Sequence, residues 1–436
     1  MSQQILEGYQ MSPQQKHLWS LSGEQMPYTT RCIILMEGTL DREILRIALQ
    51  QVIERQEILR TTFDFLSEMT MPLQVINDDA QLSIDECDLS ALPEQAQATQ
   101  LEVLLRDAAR TSVKDDNQLR FIEALLAPDK FALLVILPSL YADTAALKIL
   151  MQDLGDCYAT CLRGEKPAEE PIQYADLSEW QNESLEAEGS EVGRNYWRKQ
   201  EEESAATVLK LPFEKDIPEG FEFRPEPGLS LVINPETVER MERLSVLHNT
   251  TLSNSLLASF FLLLSRLCDS TRLSLGVSFD GRNYDELSSA LGLFARFLPI
   301  TATISPQLSF RQLLSALDAS LAEAHRWQEL FTLPATTSAA APFFPFCFEY
   351  VEEATPSLSV TDSLQFTLQS SVAYVSRFKV LLRCLRQTDG SVLIQWHYDA
   401  AVYQEAEVLQ LAERWAKAVE SISAQTSSRT LDEVEI

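Results

Sequence analysis

Histidine, basic charge and long apolar stretches are scarce in this chain of 436 residues. It carries 35 lysines and arginines against 64 acidic residues, a formal net charge of −29 at pH 7. Such a charge would repel a phosphate backbone and an anionic lipid surface, which argues against nucleic acid and membrane partners. The longest apolar run, residues 256–264, is far shorter than the roughly 20 residues of a membrane span. Because no signal-peptide pattern opens the chain, we expect a cytoplasmic protein.

Metal and disulfide patterns are also missing. The seven cysteines are scattered and include no C-x-x-C pair, which is typical of reduced thiols rather than of a disulfide framework. Cys157 and Cys161 have ligand-like spacing on a predicted helix, but no histidine or second cysteine pair stands nearby to complete a metal shell. We therefore predict no metal site. The four histidines are far apart in the sequence: His17, His248, His325 and His397.

Strand and helix signals alternate in the N-terminal half. Asp41 is placed to cap a helix whose apolar residues recur at three- and four-residue spacing over 44–53. Strands are predicted over 32–36 and 121–126. A further run, 131–137, is apolar throughout, as expected of a central strand covered on both faces.

The turn after this apolar run is the place where we expect any chemistry. The run ends at Pro138, which cannot donate to a strand ladder, and Asp143 or Thr144 can cap an apolar helix through Leu154. Candidate functional residues are therefore sought in 138–144.

Residues 181–205 are rich in polar residues and four prolines follow them, so this stretch is predicted to join the two halves. The second half then repeats the same alternation of strand and helix signals. Helices are predicted from Pro235 to about His248 and over about 253–268, followed by a strand over 273–279. The sequence thus predicts two similar α/β lobes, an N-terminal lobe over 1–185 and a C-terminal lobe over 186–436.

Five segments, spread in order over nearly the whole chain, resemble the signatures of one family. They are residues 12–19 (S-x-x-Q-x-x-L-W), 55–63 (R-H-E-x-L-R-T-x-F), 172–181 (Y-x-D-[FY]-A-x-W-Q), 281–287 (G-R-x-x-x-E-L) and 291–299 (I-G-x-F-x-N-x-L-P). The ordered set is similar to the condensation-domain superfamily of nonribosomal peptide synthetases.

This resemblance implies an α/β fold, a V-shaped pseudo-dimer of two chloramphenicol-acetyltransferase-like lobes. It also implies a tunnel that admits the phosphopantetheine arms of carrier proteins, with no cofactor bound directly. The family motif H-H-x-x-x-D-G, whose second histidine orients or deprotonates the attacking amine, corresponds to residues 138–144. Only Asp143 of the motif is kept.

Ser139 stands at the position of the catalytic histidine, with Pro138 before it and Thr144 at the motif's last position. A serine hydroxyl is no base near neutral pH without an activating partner. Because no nucleophile-elbow glycines flank Ser139, a serine triad is disfavoured and no catalytic residue is assigned. The residues expected to line a narrowed tunnel are Ser139, Tyr141, Arg296 and Phe297.

Asp143 has a structural explanation in the family, where this carboxylate pairs with an arginine across the lobes. Arg282 of the G-R segment is the matching candidate, and a bidentate pair would hold the motif loop without proton transfer. Arg60 is a second candidate for bracing the same loop.

The retained scaffold and the missing histidines predict a non-catalytic, degenerate member. It resembles the interface domains of siderophore synthetases and the X domains, which implies a peptidyl carrier protein, an adjacent adenylation domain and an iron and 2-oxoglutarate dependent hydroxylase or other oxygenase as partners. Proline at 138 argues against the cyclization branch, whose motif needs aspartate there. The alternative is an atypical condensation acyltransferase that forms an amide by proximity alone.

Overall fold

The structure is a computed structural model. It describes residues 8–22, 28–65, 69–78, 82–110, 119–165, 171–204, 209–215, 223–305, 307–332, 344–424, 431 and 434. The chain divides into two compact units: a first unit of Met1–Ala187, Asp280–Ala295 and Ala354–Val375, and a second unit of Glu188–Phe279, Arg296–Glu353 and Ser376–Ile436. The lobes 1–185 and 186–436 stay a prediction, and the segments 280–295 and 354–375 join the first unit because their contacts lie there.

The first unit combines two sheets with five helices among the described residues. Its elements are β1 (Gly8–Gln10), α1 (Pro13–Ser22), β2 (Thr29–Gly38), α2 (Arg42–Arg55), β3 (Thr61–Asp64), β4 (Leu73–Ile76), β5 (Ile84–Asp88), α3 (Glu94–Arg110), β6 (Arg120–Ala127), β7 (Lys130–Pro138), α4 (Thr144–Leu162), α5 (Tyr174–Glu186), β12 (Ser357–Thr361) and β13 (Leu364–Ala373). The strands form a six-stranded sheet, β12-β13-β2-β7-β6-β5, and a three-stranded sheet, β1-β4-β3.

The central strand β7 explains the uninterrupted apolar run. It pairs antiparallel with β2, from Glu37 opposite Lys130 to Thr29 opposite Pro138. Ala132, Leu134 and Ile136 belong to one apolar cluster with the residues of α3. The alternate side chains of β7 point to the opposite sheet face and are equally buried. A strand covered on both faces has no polar positions, as predicted.

Asp41 and Asp143 are the N-cap residues of the two helices for which the sequence predicted a cap. Asp41 accepts hydrogen bonds from the backbone N–H groups of Glu43 and Ile44, so α2 begins at Arg42. Its buried residues all lie in the predicted span 44–53: Leu45, Ala48, Leu49, Val52 and Ile53. Asp143 is the N-cap of α4, which extends to Leu162, beyond the predicted end. Both predicted caps are confirmed.

The second unit is built on another six-stranded sheet, β10-β9-β11-β14-β15-β8. Its elements are α6 (Glu191–Ser204), β8 (Pro225–Ile233), α7 (Pro235–Leu247), α8 (Leu252–Leu267), β9 (Arg272–Phe279), β10 (Arg296–Thr303), α9 (Phe310–Trp327), β11 (Phe346–Val351), β14 (Val380–Arg386), β15 (Val392–Asp399) and α10 (Glu405–Ser423). The predictions of α7, α8 and β9 are confirmed.

The core of the second unit lies between its sheet and helices α7 to α10. The apolar run of α8, residues 256–264, is buried throughout, which is why it carries no charge. Two tryptophans of this core, Trp396 and Trp415, are 0% exposed and meet edge to face with ring centroids 6.0 Å apart. With helices packed on a sheet in each unit, the predicted α/β class is confirmed. In the described part of the chain, no helix has the length and apolar character to cross a membrane.

Candidate functional site

The loop between β7 and α4 is fixed at both ends by its own sequence. Pro138 is the last residue of β7 and Asp143 caps α4. Between them, residues 139–142 are buried. Residues 138–144 are called the motif loop below.

The carboxylate of Asp143 is completely enclosed by donors. Its Oδ1 accepts a hydrogen bond from the N–H of Ala146 at 2.8 Å. Its Oδ2 accepts from the N–H groups of Phe294 and Ala295, at 2.8 and 2.9 Å, and from Arg282 Nη1 at 2.9 Å. The side chain is 0% exposed. These donors hold the carboxylate as an anchor for the loop, since charge-assisted hydrogen bonds are stronger than neutral ones.

Arg282 is fastened on several sides. Its Nη2 donates to the carbonyls of Ala290 and Gly292, both at 3.3 Å, and its guanidinium carbon lies 4.6 Å from the ring centroid of Phe294. The side chain is only 5% exposed. The guanidinium therefore links the start of the segment 280–295 to the carbonyls near its end, and it links the segment to Asp143.

The contact between Asp143 and Arg282 differs in two ways from the predicted pair. Only Nη1 reaches the carboxylate, so the ion pair is monodentate and not bidentate. Both residues belong to the first unit, because the segment Asp280–Ala295 is part of it. The pair is thus internal to that unit, whereas the sequence predicted a link between lobes.

Ser139 is part of a directed chain of hydroxyl groups. Its Oγ lies 3.0 Å from Thr30 Oγ1, which in turn donates to the carbonyl of Ala142 at 2.6 Å. A hydroxyl has one proton to donate, and that of Thr30 is donated to the carbonyl of Ala142, so Ser139 is the donor to Thr30. The N–H of Ser139 donates to the carbonyl of Tyr28. Ser139, which is 0% exposed, therefore closes the motif loop onto β2.

The S-x-x-Q signature explains one end of this arrangement. Ser12 and Gln15 bond to each other's backbone N–H groups, which starts α1. The amide of Gln15 then donates to the carbonyl of Leu140 in the motif loop, at 3.0 Å, and to Gln74. This role was not predicted from the sequence, although the spacing of serine and glutamine was the available signal.

The aromatic residue of the third signature contacts two segments that themselves touch the motif loop. The hydroxyl of Tyr174 lies 2.8 Å from Ser12 Oγ and 2.5 Å from the carbonyl of Leu293. Its ring meets Phe294 edge to face, with centroids 5.1 Å apart. A Cβ at Gly292 would lie 1.9 Å from the Tyr174 ring, so only glycine permits this approach. Signatures far apart in sequence thus converge on one loop.

Tyr141 points into the first unit. Its hydroxyl donates to the carbonyl of Thr61 and its ring stacks on Phe63, with centroids 6.0 Å apart. Burial raises the pKa of Tyr141 above its usual value. The side chain is 2% exposed, and the phenol is neutral at physiological pH because its pKa is raised.

Two further predicted residues belong to the second unit. Arg296 and Phe297 begin β10, and each is 8% exposed. Arg296 donates to the carbonyl of Gln328 at 2.6 Å and pairs with Glu329 at 3.1 Å. A partner close by explains how the charge is buried. That Ser139, Tyr141, Arg296 and Phe297 line a tunnel stays a prediction.

Arg60 does not brace the motif loop, which corrects the second candidate. It donates to the carbonyls of Glu54 and Asn77 and pairs with Glu57. Its backbone lies at the end of a 3-10 turn directly before β3, so its side chain closes that turn instead.

His17 is the histidine of the first unit, on α1. It is not a hydrogen-bond partner of Ser139, whose bonds go to Tyr28 and Thr30. Burial lowers the pKa of His17 to about 3, so its imidazole is neutral at physiological pH. His248, His325 and His397 belong to the second unit.

The converging signatures are those of a known family. The Condensation domain family model matches residues 5–435. The chain belongs to the condensation-domain family. The resemblance predicted from five short segments is confirmed, and four of those segments supply a residue that bonds to the motif loop of this condensation domain.

Curated relatives of this condensation domain are much longer proteins. It is 24% identical to chondramide synthase of Chondromyces crocatus over 97% of this chain and 11% of that protein. It is 27% identical to the dimodular nonribosomal peptide synthase of Bacillus subtilis over 86% of this chain and 16% of that protein. The chain thus spans a small part of these relatives.

Solved structures share the fold at low identity. The X-domain from teicoplanin biosynthesis has a TM-score of 0.82 at 19% identity, covering 100% of this chain and 99% of that one. SgcC5 protein from Streptomyces globisporus has a TM-score of 0.81 at 20% identity, covering 96% and 99%. Another similar structure is a complex of the X-domain and OxyB, with a TM-score of 0.79 at 19% identity over 99% and 97%.

Proposed function

We propose that this condensation domain is a non-catalytic platform of a nonribosomal peptide synthetase. It positions a carrier protein or recruits a trans-acting tailoring enzyme such as a β-hydroxylase. The observation that carries the proposal is the hydrogen bonding of Ser139, which occupies the position of the family's catalytic histidine. Its hydroxyl donates a hydrogen bond to Thr30 Oγ1, and the Thr30 hydroxyl donates to the carbonyl of Ala142.

A group bonded in this way supports structure better than proton transfer. An amide-forming step that uses a general base needs a side chain with a pKa near the working pH, close to the attacking amine. A serine hydroxyl does not meet that need, and its proton here is already used in a hydrogen bond to Thr30. Asp143 is enclosed by donors of its own unit. Both residues therefore favour a scaffolding role for the motif loop.

The partners that we propose follow from the family and from one neighbour. Condensation domains of synthetases work beside peptidyl carrier and adenylation domains, so we expect this domain to bind the phosphopantetheine arm of a carrier protein. The neighbour solved together with OxyB supports a tailoring enzyme as the recruited partner. The formal charge of −29 favours partners with a basic patch, whose association rate should fall as salt rises.

A reconstituted assay with two loaded carrier proteins tests the proposal. The wild-type domain should form no amide above a domain-free reaction, as measured by mass spectrometry of the carrier-bound product. Interferometry with the purified carrier and the purified tailoring enzyme of the same biosynthetic system should show binding of at least one. Amide formation that is lost in Ser139→Ala, but kept in the remote control Ser90→Ala, would overturn it.

An atypical acyltransferase is the second candidate. It is favoured by the family itself, since the Condensation domain model matches residues 5–435. Such an enzyme would hold two substrates together without a base, since positioning alone lowers a barrier. Product that is insensitive to Ser139→Ala but requires both loaded carriers would support this candidate.

A further inference from the structure

An exposed aromatic pair lies in the first unit, outside the motif loop. Trp180 on α5 and Tyr284 after the G-R segment are 38% and 48% exposed. Their rings meet edge to face, at an interplanar angle of 86° and with centroids 5.4 Å apart. Two large exposed aromatic rings in contact are typical of interaction surfaces, where tryptophan and tyrosine contribute much of the binding energy.

Acidic side chains accompany both rings. On α5, Asp176 and Glu183 are exposed and lie four residues before and three residues after Trp180, so all three share one helix face. In the loop of Tyr284, three more carboxylates are exposed: Asp280, Asp285 and Glu286. We call Trp180, Tyr284 and these five acidic residues the aromatic–acidic patch.

The loop half of the patch is held by the ion pair of the motif loop. Arg282, two residues before Tyr284, is bonded to Asp143 and to the carbonyls of Ala290 and Gly292. Gly281 has a φ of +71°, and a Cβ there would lie 2.2 Å from the carbonyl oxygen of Phe294. The loop therefore has one favoured path, which presents Tyr284 without further ordering.

The helix half is equally well anchored. Tyr174 at the start of α5 bonds to Ser12 and to the carbonyl of Leu293, while Asn182 donates to the carbonyl of Met11. Both rings thus stand on backbone that is already ordered. A preordered surface binds with a smaller loss of conformational entropy.

From these observations we infer that the aromatic–acidic patch docks a partner protein through a lysine or arginine side chain that projects from an apolar surface. A cation is attracted to the face of an aromatic ring, and carboxylates around the rings add charge complementarity. The inference rests on the proposed function and names the surface that performs it. On this inference, the Asp143–Arg282 ion pair contributes to partner binding, because it holds the loop that carries Tyr284.

The first test uses a probe of defined chemistry. The probe is a synthetic amphipathic helix with leucines on one face, flanked by arginines, and the matched probe has glutamine in place of each arginine. By fluorescence anisotropy, Trp180→Ala and Tyr284→Ala should each weaken binding of the arginine probe by about tenfold or more. Phe65→Ala removes an aromatic residue that is also 48% exposed but lies elsewhere, and it should leave binding unchanged.

Further variants measure the contributions of the carboxylates and of the aromatic rings to binding separately. Trp180→Phe should keep most of the affinity, and Glu286→Gln should lower the association rate, whereas Asp107→Asn on α3 should not. Equal binding of the arginine and glutamine probes, or equal binding by Tyr284→Ala and Phe65→Ala, overturns the inference.

A second arm separates this inference from the proposed function. The same variants are measured by interferometry against the purified tailoring enzyme and the purified carrier. If the wild type binds one of them and the patch variants bind it as tightly, the patch is wrong and the platform role stands. If the wild type binds neither, the platform role fails and the inferred surface fails with it.

Discussion

Each unit of this condensation domain buries an aspartate, and the two carboxylates are stabilised by different groups. Asp143 in the first unit is 0% exposed and Asp399 in the second is 1% exposed. Asp143 contacts a guanidinium group directly. Asp399 accepts hydrogen bonds from the backbone N–H groups of Arg224 and Ala401, at 3.3 and 3.1 Å. Equal burial therefore does not mean equal electrostatics.

The different surroundings of Asp399 change its pKa. Burial raises its pKa above the ordinary value, and the two backbone hydrogen bonds and the charges of Arg377 and Arg224 offset this only in part. Asp399 accepts hydrogen bonds from backbone donors, whereas Asp143 also has a guanidinium group in direct contact. The comparison predicts which aspartate is sensitive to the loss of its partner.

The largest effect is expected from removing one member of the buried ion pair. Arg282→Ala leaves the Asp143 carboxylate without its cation, which should lower the free energy of unfolding by about 3–5 kcal/mol. Urea unfolding followed by tryptophan fluorescence measures this. A midpoint unchanged from the wild type would contradict the account of the ion pair.

Removing both members should be less harmful than the two single changes together. Asp143→Asn combined with Arg282→Gln leaves no unpaired charge, so a double-mutant cycle should give a favourable coupling of about 1–3 kcal/mol. The measurement is urea unfolding of the wild type, both single variants and the double variant. Strict additivity would mean that the two side chains act independently.

A pH series sharpens the contrast at Asp399. Its folded-state pKa lies above the unfolded value, so its contribution to stability is fully present below the unfolded pKa and is lost as pH rises through the folded pKa. Asp399→Asn does not ionise, so its stability relative to the wild type should increase as pH rises through the acidic range. Urea midpoints at several pH values test this, and a constant difference would contradict it.

The smallest effect is expected at the surface. Arg243 and Glu239 form an (i, i+4) pair on α7 at 2.9 Å, with side chains 63% and 64% exposed. Arg243→Gln should change the free energy of unfolding by only about 0.3–0.5 kcal/mol, because water screens the pair. The same unfolding assay serves as a control for the buried pair. A loss as large as that of Arg282→Ala would remove the distinction between buried and exposed pairs.

Local sequence signals predicted the helix starts well. The Asp41 cap depends on neighbouring residues alone, and so does the start of α4 at Asp143. The family resemblance brought Asp143 and Arg282 together, although they are separated by 139 positions. Local pattern and family resemblance therefore sufficed for the class of fold and for one long-range pair.

The remaining contacts depend on three-dimensional packing. No local sequence signal indicates that Thr30 accepts a hydrogen bond from Ser139, because it lies on a neighbouring strand. The partner of Arg296 is Glu329, more than thirty positions away. Nothing in the order of the sequence places the segment 280–295 in the first unit, so the sequence alone assigned Arg282 to the C-terminal lobe.

The pairing of β13 with β2 has a consequence for biosynthesis. β13 lies at 364–373, and it covers β2 along residues 30–38. During translation, β2 is available long before its partner leaves the ribosome, so the partly made sheet presents an apolar edge strand to its surroundings. Ribosome-stalled chains that end before Leu364 should therefore depend on chaperones far more than chains released beyond Ala373. The first unit completes its sheet only when most of the second has been synthesised.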